Sequence, residues 1–140
     1  MRAEDLADLA RDLGRGCRDE ESRDRAVVDA ETARLQQRLA ADVPGARVVK
    51  AFNTMAAQVI ALDRDELARH HVSVFLCSDD ATAKAVVRGL AEELGFVGVD
   101  SGELERSQLV EALADFVRFQ IAGMGLSAVA TLSLHRLGDS

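Results

Sequence analysis

The sequence predicts an α/β fold: a mostly parallel sheet with flanking helices and a long C-terminal helical tract. Three observations predict it. Segments of strand pattern alternate with segments of helical period, which is what β–α units and parallel pairing require. The run "VSVFLC" (72–77) is β-branched and almost continuously apolar, as in a strand covered on both faces. At 140 residues the chain fits one domain, 1–140, with room for a real core.

The elements follow in order. Leu6, Leu9 and Leu13 share one helical face over 4–13, and Gly14 is a natural stop. "RGCRDEESRDR" (15–25) reads as a charged connector, "AVVDA" (26–30) as a short strand, and "ETARLQQRLAADV" (31–43) as a helix. Pro44-Gly45 forces a turn before a strand at 47–52. "MAAQVIAL" (55–62) reads as a helix that Asn53 or Thr54 is placed to cap. After the 72–77 strand, "SDD" (78–80) supplies a cap and an acidic start for a helix. Its stripe is Ala83, Val86, Val87, Leu90 and Leu94, and Gly95 ends it. "FVGVD" (96–100) is the next strand. From Leu104 a long helical tract runs to 137, with Leu109, Val110, Leu113, Phe116 and Val117 on one stripe and Gly123 and Gly125 able to kink it.

Composition excludes several functions. The net charge is -7, and aromatic residues make up 4% with no Trp or Tyr. Neither a basic nucleic-acid surface nor a base-stacking platform fits those figures. The most apolar tract, 121–134, is too short to span a bilayer. The amphipathic, charged start is unlike a signal peptide, and the two widely spaced cysteines, Cys17 and Cys77, fit reduced thiols in a cytoplasmic protein. His70 and His71 diverge on either a strand or a helix, and His135 stands apart, so no metal site is expected.

The stretch "VVKAFNT" (48–54) carries the polar residues of interest. A strand here delivers Lys50, Asn53 and Thr54 to its carboxyl end, the edge where open α/β sheets hold ligands. Alternation puts Lys50 and Phe52 on one face and Ala51 and Asn53 on the other. The competing reading is that Asn53 caps a helix while Lys50 reaches solvent. Cys77 ends a strand before a helix N-terminus, a place that lowers a thiol pKa, yet no histidine pairs with it and a structural role is favoured. No G-x-G-x-x-G or phosphate-binding loop is present; Gly14 and Gly16 follow a helix instead of a strand.

These residues carry a resemblance. "PGARVVKAFNT" followed by "VSVFLCSDDATAKAVVRGLAEELGFVGVDSGELERSQLVEALADF" resembles the C-terminal half of the NADPH-dependent deazaflavin-coenzyme (F-420) reductase family. The likeness spans about 44–116 and implies a shortened Rossmann-like sheet. It departs from the family at Ser78, where glycine is usual, and at Glu111-Ala112, where the family has Glu-Pro. The family's N-terminal strand and glycine turn, which hold the NADP pyrophosphate, have no counterpart in the sequence: residues 4–13 already read as helix.

The resemblance therefore implies a divergent relative, repurposed as a small-molecule-binding protein or a non-redox enzyme of the cyclase or isomerase type. Its pocket is expected at strand end 50–55, with Lys50, Phe52, Asn53, Thr54, Met55, Cys77 and Glu111 as the candidate residues and no resident cofactor. The alternatives are an NADPH-dependent oxidoreductase completed by a partner chain, and a non-catalytic dimerisation module. A homodimer is expected through the C-terminal helices, where Ala122, Gly123, Gly125, Ser127, Ala128 and Ala130 permit close approach; no nucleic-acid or membrane partner is expected.

Overall fold

The computed structural model describes residues 45–138, together with Arg38 and residues 41–43. The strand expected at 26–29, the helix at 4–13, Cys17 and most of the helix at 31–43 lie outside the described residues. Arg38, Ala41 and Asp42 are helical.

Two short helices, α1 (Ala57–Ile60) and α2 (Arg64–Arg69), lead into strand β1 (Ser73–Leu76). Helix α3 (Ala81–Glu93) crosses over to strand β2 (Val97–Asp100). The strands pair in parallel, Ser73 opposite Val97 through Leu76 opposite Asp100. A single 3-10 turn (Leu104–Arg106) opens α4 (Ser107–Arg118), which runs into a π-helical turn at Phe119–Gly123.

β1 is buried throughout, and its alternation explains how. Val72, Val74 and Leu76 face one core with Val59, Ile60, Leu67, Ala91 and Phe96. Phe75 and Cys77 face a second core with Val110 of α4, closed by Val99 and Leu132. The sheet thus has α1, α2 and α3 on one face and α4 with the chain's last described segment on the other. That is the doubly covered strand the sequence predicts, in a Rossmann-like α/β arrangement.

α3 is built as its sequence says. Asp80 caps it, accepting from Ala83 N at 2.7 Å, and the acidic side chain also suits the positive end of the helix. Gly95 ends it at φ +98. The stripe is rotated from expectation: Val86 is 61% exposed, while Ala91 is fully buried.

Four expectations need correction. The strand at 47–52 reduces to one antiparallel bridge, in which Lys50 N donates to Cys77 O (2.8 Å) and Cys77 N to Lys50 O (3.0 Å). The ladder stops there because Phe52 takes φ 61, a left-handed conformation that turns the chain out of the strand. The helix at 55–62 shrinks to α1; its N-cap is Ala56 with no side-chain bond, so neither Asn53 nor Thr54 caps it. Residues 126–137 are not helical. Gly125 at φ +75 redirects the chain, and Thr131 and Ser133 are weak helix formers. This tail returns to the sheet: Leu134 N donates to Ser73 Oγ at 3.0 Å, and Leu132 packs on Phe75 and Cys77. The single stripe foreseen on α4 divides, with Val110 and Val117 buried and Leu109, Leu113 and Phe116 exposed.

Candidate functional site

The polar residues singled out on the sequence gather at the carboxyl end of β1, where α4 crosses it. Lys50 is held there by its backbone bridge to Cys77, the residue after β1. Its side chain is only 5% exposed and its ammonium pairs with Glu111 Oε1, itself 13% exposed. An ion pair taken out of water is retained only when the charges match closely, and removing one member strands the other.

Asn53 reaches the same helix. Its Nδ2 donates to Val110 O at 3.1 Å and to Glu111 Oε1 at 3.4 Å. Two acceptors around Nδ2 fix the orientation of the amide, since the flipped form would set oxygen against oxygen. Asn53 Oδ1 is buried and has no hydrogen-bond partner among the described residues.

Phe52 lies between these two residues and points elsewhere. Its left-handed backbone sends the ring to the first core, edge-on to Phe96 with centroids 5.6 Å apart. Met55 packs against that core too, and Thr54 is 2% exposed. Strand alternation thus misplaced the group. Lys50 and Asn53 converge on Glu111, while Phe52 and Met55 leave them.

Cys77 is fully buried, its Sγ 3.6 Å from Ser101 O. Burial raises its pKa above the ordinary value of 9.0, outweighing the nearby Lys50 and Lys84, which pull it down. At neutral pH it is a thiol and a poor nucleophile. Three residues separate it from the start of α3, too far for the helix end to activate it.

Ser78 holds the floor. It is 2% exposed, its hydroxyl donates to Val48 O at 2.7 Å and accepts from Asp80 N at 3.1 Å. Asp79 Oδ1 accepts from Leu104 N at 3.0 Å, which fixes where the last helix begins. Lys84 Nζ bridges Asp100 Oδ1 (2.8 Å) and Gly102 O (3.0 Å), closing the end of β2. That bond, and the Gly102 N–H, hold the Asp100 carboxyl below its usual range. Sequence reading took "SDD" only as a cap; the polar run at a strand end was the available signal for the rest. Nothing in the sequence linked His71 to His135, whose rings meet edge-on with centroids 6.0 Å apart.

Other features lie off this site. An open hollow of about 480 Å³ is lined by Asp63, Arg64, Asp65, Glu66 and Arg69, none of them a candidate residue. No cluster of three His, Cys, Asp or Glu able to hold a metal occurs among the described residues. No helix among them is long and apolar enough to cross a membrane.

No family model matches the sequence. A solved structure of a proposed F420-dependent NADP reductase from Arthrobacter sp. FB24 is similar at TM-score 0.62 and 30% identity, over 73% of this chain and 46% of that one. Over that stretch the chain is similar to part of an F420-dependent NADP reductase. Metalloreductase STEAP2 of Mus musculus is 33% identical over 75 residues, 54% of this chain. Metalloreductase STEAP3 of Rattus norvegicus is 35% identical over 89 residues, 59% of this chain. The chain spans 15% and 18% of those two proteins' lengths and under half of the solved reductase. The resemblance read from "VVKAFNT" onward holds at this level, as a likeness to part of a reductase.

Proposed function

We propose that this chain binds a small, mainly apolar molecule at the carboxyl end of β1, with Asn53 as its polar anchor, on a reductase-like fold that no longer performs hydride transfer. The observation that carries the reading is Asn53 Oδ1, a buried acceptor without a partner among the described residues. A buried polar atom left unpaired costs free energy, and a ligand that donates to it recovers that cost. The positive φ of Phe52 beside it supports the same reading, because backbone strain concentrates at ligand sites. Val110, whose carbonyl Asn53 bonds, belongs to the apolar cluster of Phe75, Cys77, Val99 and Leu132. Lys50 and Glu111 neutralise one another and Cys77 stays protonated, so the neighbourhood favours binding over acid–base or nucleophilic chemistry.

The similarity to reductases favours a second reading, an NADPH-dependent oxidoreductase completed by a partner chain. Dinucleotide binding in this fold needs backbone N–H groups at a glycine turn that opens a helix, and the sequence has no such motif.

A thermal-shift screen of apolar compounds carrying one hydrogen-bond donor tests the proposal. A ligand specific to the native state raises the melting temperature, and that rise is expected to vanish in Asn53→Leu. Stabilisation by NADPH alone, unchanged in Asn53→Leu, would reverse the order of the two readings.

A further inference from the structure

α4 carries two apolar stripes, and the described fold uses one. Val110, Ala114 and Val117 pack inward. Leu109, Leu113 and Phe116, spaced four and three residues apart, form a second stripe that is 65%, 37% and 53% exposed. Gln120 continues the row, so it carries no charge along its length. Phe119 and Met124, 50% and 65% exposed, extend the apolar surface past the end of the helix.

We propose that this stripe is a self-association face, occupied by the same stripe of a second copy packed antiparallel about a two-fold axis at Leu113. Four-three spacing is the pattern that lets helices interlock side chains along a seam. Antiparallel pairing sets Leu113 against Leu113 and Leu109 against Phe116, so one surface is its own complement, as a two-fold interface demands. Ala112 on the flank has little bulk to hold the helices apart. These five side chains expose on the order of 500 Å² per copy, a patch at the upper end for a monomer. Two copies together bury on the order of 1,000 Å², the threshold for a specific interface. The pairing lies within the expected C-terminal helical tract but does not use Gly125, Ser127, Ala128 or Ala130, because the residues beyond Gly123 are not helical.

Sedimentation equilibrium of the full chain tests this directly. The wild type is expected to be dimeric at ~100 µM, and the Leu109→Glu/Phe116→Glu variant monomeric with an unchanged circular dichroism spectrum. Both positions are solvent-exposed in the single chain, and Leu109→Glu alone, at the more exposed one, raises the dimer dissociation constant at least ~10-fold. A wild-type monomer at that concentration overturns the proposal, and so does a dimer that survives both substitutions. A monomeric wild type whose double variant melts at a lower temperature assigns the face to another part of its own chain instead.

Discussion

Removing one side chain of the Lys50–Glu111 pair and removing both have different consequences. Lys50→Met removes the cation from the largely buried Glu111 carboxylate, and should cost about 3–5 kcal/mol of folding stability. Lys50→Met/Glu111→Leu should recover most of that, because an apolar pair of similar volume replaces the charges without desolvating them. Urea unfolding of the three proteins decides it; a single variant costing under ~1 kcal/mol would mean the pair is solvated. Asn53→Ala loses the bonds to Val110 O and Glu111 and should cost about 1–2 kcal/mol in the same assay. Cys77 gives a pH dependence. Its folded-state pKa lies above the ordinary 9.0, so its stabilising contribution is whole below that value and is lost as pH rises through the folded value. Between pH ~8 and ~10 the wild type should therefore lose more stability than Cys77→Ala, read as the difference in urea midpoint. Equal losses would show that the thiol is not held protonated by the fold.

At the scale of elements, two glycines with close neighbours should behave oppositely. Gly95 ends α3 at φ +98, and an added Cβ would lie 2.4 Å from the backbone oxygen of Arg64. Gly95→Ala meets both a forbidden φ and an immovable atom, and should cost about 2–3 kcal/mol. At Gly98 the close atom is Arg88 Cγ at 2.6 Å, part of a flexible exposed side chain that can swing away. Gly98→Ala should stay within about 1 kcal/mol of wild type; a cost equal to that of Gly95→Ala would contradict this account of the α3–β2 junction. These elements also show what the sequence reveals. β1, α3 and β2 were readable because hydrophobic period, an Asp80 cap and the Gly95 stop agree with one another. α2 was passed over although "RDELAR" puts Asp65 and Glu66 in its first turn and Arg69 in its last, the charge order a helix favours. The 126–137 tail misled because its apolar content looks helical, while its partners, Ser73 and Phe75, are some sixty residues away in sequence. The site was half legible for the same reason. A polar strand end marked Lys50 and Asn53, but their convergence on Glu111 depends on one left-handed residue, Phe52, which no periodicity reveals.

At the scale of the whole molecule, the proposed ligand of this reductase-like sheet is one other than the dinucleotide. The similar curated proteins and the similar solved structure are reductases, and the fold shares that architecture. What separates the readings is whether this chain supplies donors for a pyrophosphate. Its sequence lacks the glycine turn, and its net charge of -7 opposes a polyanion further. Calorimetric titration of the purified chain with NADPH and with NADP measures this most directly. The expected result is no saturable heat with either nucleotide up to ~1 mM. Saturable binding in the low-micromolar range, about -7 to -8 kcal/mol, would contradict the account and make this chain a nucleotide-dependent reductase in its own right.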